Sequence, residues 1–258
     1  MNDGAVRYQR DGAIGRITFD RPAARNAMTW AMYDELAGAC AQVAADPAVR
    51  VAVLRGAGGK AFVAGTDIGQ FRDFKSGEDG VAYERRVEAY LAAVEELPVP
   101  TIAVIEDWAI GGGLAIAAAC DLRVATPGSR FGVPIARTLG NCLSIANYAC
   151  LAAALGLART KRMLLLAENL TADELHTAGF LAEIIPPAEL DARVEQLCSR
   201  LAGNAPITMR VTKESLRRLL HAGFPDGEDL IRQCYGSEDF RIGVEAFMQK
   251  REPRWTGK

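Results

Sequence analysis

The chain has 258 residues, half of them hydrophobic and 24% charged, the composition of a soluble globular protein with a sizeable core. Its formal net charge is −2, with both signs interspersed, which gives no support for nucleic acid or an anionic membrane surface as partner. The longest apolar stretches, such as 143–157, fall short of a membrane span. Met1-Asn-Asp-Gly4 has no basic segment leading into an apolar run, so no signal peptide and a cytoplasmic location are expected.

In chain order, the alternation in Ala13–Phe19 predicts a strand. Arg21-Pro22 marks a turn. A helix then runs to about Ala45, capped by Asn26 or Thr29, with Met32, Leu36, Ala39, Cys40 and Val43 on its apolar face. Val49–Leu54, Thr101–Ile105, Leu122–Ala125 and Ala182–Ile185 read as further strands. Helical patterns lie between them at 81–96, 113–120, 142–156, 159–166 and 172–178. Strands alternating with helices define an α/β fold. From Pro187 the strand signals stop, and 187–202, 206–221 and 237–250 carry helical periodicity, separated by Asn204-Ala-Pro206 and Gly223-Phe-Pro225. The shift divides the chain into a core of residues 1–195 and a helical segment of residues 196–258.

Six cysteines (Cys40, Cys120, Cys142, Cys150, Cys198 and Cys234) show no CxxC spacing, which fits reduced thiols. With only His176 and His221, there is little material for histidine-centred catalysis or a multi-histidine metal site, and no metal is expected.

Two glycine-rich segments each follow a strand: Arg55–Asp67 and the triplet Gly111-Gly112-Gly113. In the first, Lys60 is followed by Ala61, so a phosphate-binding P-loop lacks its Ser or Thr. The triplet lacks the GxGxxG spacing of a dinucleotide site. Three consecutive glycines serve either close strand-to-helix packing or a helix start whose free N–H groups face a developing oxyanion. Gly140-Asn-Cys142-Leu-Ser144 reads as a nucleophile elbow with cysteine as attacker, or as a structural cysteine at a helix start capped by Asn141. The adjacent acids Glu106 and Asp107 repel one another, so at least one is expected to face solvent, and Asp121 is placed in a turn.

Several segments occur in an order that resembles a known family. They are Arg21-Pro-Ala-Ala-Arg-Asn-Ala-Met28, Ala61-Phe-Val-Ala-Gly-Thr-Asp-Ile68, and Val99-Pro-Thr-Ile-Ala-Val104 leading to the glycine triplet. Ala118-Ala-Cys-Asp-Leu-Arg123, Arg130-Phe-Gly-Val-Pro134 and the tail from Ser237 to Pro253 follow. Over nearly its whole length the chain resembles the crotonase (enoyl-CoA hydratase/isomerase) superfamily.

The resemblance implies a spiral of ββα units with a C-terminal helical segment that drives homotrimers or hexamers. It implies an acyl-CoA thioester as substrate, with coenzyme A entering as part of that substrate and no separate cofactor. By position, the thioester oxygen would be held by the N–H groups of Thr66 and Gly112. The segment Ala64, Asp67 and Ile68 would lie near the adenine moiety, with Arg25, Phe247 and Lys250 as the candidates to meet the CoA phosphates. Family hydratases carry one glutamate where this chain has Ala115 and a second where it has Ile135. Neither residue transfers protons, so the resemblance implies a thioester-processing enzyme without standard two-glutamate hydration. Arg137, Asn141 and Cys142 lie on the adjoining segment as replacement candidates, with Arg137 suited to a substrate carboxylate. The alternatives are a decarboxylase, thioesterase or dehalogenase on the same scaffold, or a non-catalytic CoA-ester-binding homologue.

Overall fold

The computed structural model describes residues 4–223 and 227–256. The chain opens with β1 (Ala5–Asp11), β2 (Ile14–Asp20), α1 (Trp30–Ala45), β3 (Val51–Gly56) and α2 (Gly77–Glu95). It continues with β4 (Thr101–Ile105), β5 (Trp108–Ile110), α3 (Gly112–Ala119), β6 (Leu122–Ala125), β7 (Arg130–Gly132) and α4 (Ile135–Thr138). Next come α5 (Ile145–Leu155), α6 (Leu157–Leu165), β8 (Asn169–Thr171), α7 (Ala172–Thr177) and β9 (Glu183–Ile184). Four helices close the chain: α8 (Leu190–Ala202), α9 (Pro206–His221), α10 (Glu228–Tyr235) and α11 (Glu238–Met248).

Six strands form one sheet in the order β1-β2-β3-β4-β6-β9, parallel except for the β1–β2 hairpin. A smaller sheet has the order β5-β7-β8, and single bridges from Val63 to Ala109 and from Met28 to Thr66 extend its line. Two successive units, β4-β5-α3 and β6-β7-α4, each give one strand to either sheet and then a helix. This is the ββα spiral that the family resemblance implies.

The central strands are buried on both faces, so they read as continuous apolar runs. Ala52, Leu54, Ala103 and Ile105 face the main core, whereas Val51, Val53, Ile102 and Val104 face α8 through Leu190, Val194 and Cys198. The boundary at 195/196 falls inside α8. Beyond it, α10 and α11 add Ile231, Tyr235, Phe240 and Val244 to the main core. Phe71, Phe74 and Tyr83 meet Tyr235 and Phe240 in one aromatic cluster. Gly80 makes this docking possible: a Cβ there would lie 2.2 Å from the Tyr235 ring.

Four strands and two helices, the four-residue α4 and α10, escape the periodicity reading. β5, β7 and β8 have three residues each, too short to display an alternation. β1 is an edge strand with Val6 as its one buried residue, so its sequence reads as polar. α10 follows the Gly223-Phe-Pro225 break, of which residues 224–226 lie outside the described part. Residues 1–3 of the N-terminal segment do so as well.

Thr29 caps α1, accepting from Met32 N–H. Asn26 instead is fully buried in a left-handed conformation, accepting from Arg21 N–H and donating to the Ala57 and Ala61 carbonyls. It pins the Arg21–Met28 loop to the segment leading to Thr66. The cap of α5 is Ser144, which accepts from Asn147 N–H, and not Asn141. Glu106 pairs with Arg55 at 2.6 Å and Asp107 makes the β4–β5 turn with positive φ, which resolves the adjacent-acid problem. Asp121 accepts from Thr101 N–H and from Lys213, tying α9 to the start of β4. Away from this contact, His221 meets Glu95 at 2.8 Å and Cys150 donates to the same carboxylate. Among the described residues no helix is long and apolar enough to cross a membrane.

Candidate active site

The glycine triplet divides its work residue by residue. Gly111 adopts φ 54° and ψ −120°, a backbone region open to glycine, and its N–H donates to Gly132 C=O. A Cβ on Gly113 would lie 2.0 Å from Val63 C=O, so this position exists for close packing. A Cβ on Gly112 would lie 2.6 Å from the Tyr33 hydroxyl, 3.3 Å from Thr66 Oγ1 and 3.9 Å from Thr66 N. The backbones of Gly112 and Thr66 are thus adjacent. Gly112 opens α3, where helix geometry leaves the N–H without an intrahelical partner and the helix dipole is positive. On the other segment, Gly65 C=O and Asp67 N–H are both spent on Met28, which fixes the backbone on either side of Thr66. The Thr66 hydroxyl lies between Tyr33 at 2.9 Å and Tyr83 at 3.0 Å.

Thr66 and Gly112 border a cavity of about 410 Å³, within the usual range for small-ligand sites. Ala64, Gly65, Asp67 and Ile68 line one side with Arg21, Ala24 and Ala27. Ala115, Val133, Pro134, Ile135, Thr138 and Leu139 line another. Phe71, Tyr83, Glu84 and Val87, together with Asn141, Leu143, Asn147 and Leu151, close the cavity, and Phe247 stands at its edge. Arg21 and Asp67 form an ion pair at 2.7 Å, and Asp67 also accepts from Gly69 N–H.

The residue that the sequence reading missed is Glu84. Its surroundings in α2 (Tyr83-Glu84-Arg85-Arg86) read as an exposed charged stretch, yet Glu84 is 2% exposed and faces the cavity. Its Oε2 accepts from Ser144 N–H at 2.9 Å and from Asn147 Nδ2 at 3.5 Å. Its Oε1 accepts from the Tyr235 hydroxyl at 2.7 Å. Burial pushes its pKa up to about 7, against the lowering effect of these three donors. The helical period alone puts Glu84 beside Val81, Val87 and Leu91 on the apolar face, and that was the available signal.

Of the residues singled out in the sequence, Ala64, Thr66, Asp67, Ile68, Gly112, Asn141 and Phe247 line the cavity. Arg25, Arg137 and Lys250 are exposed and do not line it; Arg21 occupies the wall in place of Arg25. Asn141 donates to the Tyr235 hydroxyl at 3.2 Å, while its Oδ1 is buried with no hydrogen-bond partner among the described residues. Cys142 lies behind the wall beside Cys234, where the neighbouring thiol and burial raise its pKa, the reverse of what a thiolate nucleophile needs. Glu106 and Asp107 are likewise absent from the lining.

The sequence profile of the family described as Enoyl-CoA hydratase/isomerase matches residues 9–258. The Short-chain-enoyl-CoA hydratase of Clostridium acetobutylicum is 28% identical over 251 residues, covering 96% of this chain and 95% of that protein. A solved enoyl-CoA hydratase/carnithine racemase from Magnetospirillum magneticum is similar at 32% identity and TM-score 0.80, covering 98% of this chain and 96% of that one. A methylmalonyl-CoA decarboxylase solved with 2-nitronate-propionyl-CoA is similar at 26% identity and TM-score 0.90, covering 98% and 99%.

Because Glu84 in the folded chain holds its proton up to about pH 7, against an ordinary 4.5, the native state binds more protons than the unfolded state between those values. Stability is therefore lost as pH rises through this window. Urea unfolding should show wild type losing on the order of 3 kcal/mol relative to Glu84→Gln over it. Parallel stability curves would contradict the buried, protonated carboxyl.

Proposed function

The chain belongs to the enoyl-CoA hydratase/isomerase family, and from that premise we propose an enzyme that binds an acyl-CoA thioester and stabilises its enolate between the N–H groups of Thr66 and Gly112, without two-glutamate hydration. The observation that carries the reading is the apposition of these two backbone segments on a cavity wall, with a Gly112 Cβ only 3.9 Å from Thr66 N. Each donor at a developing oxyanion is worth about 3 kcal/mol in the transition state. The fixed backbone around Thr66 and the dipole of α3 favour negative charge at that spot. Ala64, Asp67, Ile68 and Phe247 stand along the same cavity, where the CoA portion is expected, with Arg21 as the neighbouring cation.

The absence of two-glutamate hydration is inferred from the cavity lining. Ala115 and Ile135 occupy the positions where the family resemblance expects two glutamates, and both line the cavity. Hydration needs a group to orient and deprotonate water and a group to protonate the substrate carbon. Ala115 and Ile135 supply neither.

A second reading, decarboxylation, is favoured by the likeness to the methylmalonyl-CoA decarboxylase at TM-score 0.90. Loss of CO₂ generates the enolate directly and so requires no base to form it. This reading does not rest on Arg137, whose side chain is outside the cavity.

A homotrimer or hexamer is supported by α9, which buries no residue fully and exposes Ile207, Val211, Leu216 and Leu219 at 56–74%. Light scattering on the purified chain should return three or six protomers; a monomer at micromolar concentration would contradict it.

A panel of acyl-CoA substrates tests the chemistry. We expect tight acyl-CoA binding with crotonyl-CoA hydration slowed by at least ~100-fold relative to a two-glutamate family hydratase, the size of one lost acid–base contribution. Turnover of methylmalonyl-CoA would establish the second reading. Hydration at ordinary family rates would overturn the first, and tight binding with no turnover across the panel would favour a non-catalytic homologue.

A further inference from the structure

Among the described residues, four titratable side chains line the cavity: Arg21, Asp67, Tyr83 and Glu84. Arg21 and Asp67 are committed to each other and to the turn that Asp67 caps. Burial holds the Tyr83 hydroxyl well above its ordinary pKa of 10, so it keeps its proton at neutral pH. Glu84 remains. Its carboxylate is supported by three donors from two other parts of the fold: Ser144 N–H and the Asn147 amide at the start of α5, and the Tyr235 hydroxyl at the end of α10.

We infer that Glu84 is the acid–base group of this cavity, exchanging a proton with the α-carbon of the bound acyl-CoA. The inference rests on the reading above, that a thioester enolate forms here. As a carboxylate, Glu84 takes the α-proton; the C–H electron pair becomes the enolate π bond, and the carbonyl π pair moves to the oxygen between the two amides. In reverse, the Glu84 O–H bond breaks with its pair left on the carboxylate. The enolate π pair then forms the new C–H bond and the carbonyl re-forms. After decarboxylation only this reverse half is needed, with Glu84 as the proton donor.

A carboxyl in this role must titrate near the working pH, and the surroundings of Glu84 meet that condition. The groups facing it are Tyr33 from α1, Tyr83 and Glu88 from its own helix, Cys142 and Tyr148 from the wall segment and α5, and Cys234 and Tyr235 from α10. None of them is a cation. Burial, the three hydrogen-bond donors and the charge of Glu88 therefore set its affinity for the proton.

The test is deuterium exchange at the α-carbon of butyryl-CoA in D₂O, followed by mass spectrometry across pH, with binding measured separately by calorimetry. Wild type should exchange with a rate that rises to a plateau through about pH 7. Glu84→Gln should bind butyryl-CoA but exchange at least ~100-fold more slowly, with a flat pH profile. Tyr235→Phe should keep exchange and move its midpoint upward, because the carboxylate loses a donor; a purely structural Glu84 would leave the midpoint in place. Wild type that fails to bind overturns the underlying reading and this inference together. Wild type that binds without exchange, or exchange that survives Glu84→Gln unchanged, overturns the role of Glu84 alone. If Glu84→Gln does not fold, an unshifted midpoint in Tyr235→Phe overturns it.

Discussion

The site depends on one close approach of backbone to backbone. Gly113 has no side chain, and so α3 begins in contact with Val63 C=O, where any Cβ would lie 2.0 Å away. That contact, continued by the Val63–Ala109 bridge, sets the Gly111–Gly112 segment against Gly65–Thr66. The Thr66 side is held from behind by Met28 and, one loop further, by buried Asn26. In the proposed role, two amides on separately anchored segments would need no reorganisation as charge develops between them, and such preorganisation is what makes oxyanion donors effective.

Apart from Thr138 and the Arg21–Asp67 ion pair, the polar groups of the cavity fall into two sets. One contains the Thr66 and Gly112 amides with the tyrosine-bracketed Thr66 hydroxyl. The other contains Glu84, Asn141 and Asn147, joined through Tyr235. Apolar residues, including Ala115 and Ile135, account for most of the remaining surface. A buried carboxyl in such surroundings favours its neutral form, whereas fixed amide donors favour an anion nearby. The proposed division of labour between oxyanion support and proton exchange follows from that contrast.

Much of the fold was legible in the sequence because its long elements carry strong periodicity. α1, α2, β3, β4 and α9 all fall close to their expected places. The three-residue strands of the small sheet were invisible, since they are fixed by neighbours and not by local pattern. The same distinction holds at the site. Thr66 and Gly112 lie on motifs with recognisable spacing, and the structure brings their segments together. Glu84 lies in a helix whose local composition looks like surface, and only the docking of α5 and α10 buries it. Arg137 and Cys142 were near the wall in sequence, but α4 turns the first outward and the second packs behind the wall against α10.

The most direct test of the central claim is a crystal structure of the chain with a bound, non-reacting acyl-CoA analogue. The account predicts the thioester oxygen at about 2.7–3.1 Å from both Thr66 N and Gly112 N, with the α-carbon turned toward Glu84. A thioester oxygen that meets neither amide, with the acyl chain outside this cavity, would contradict it.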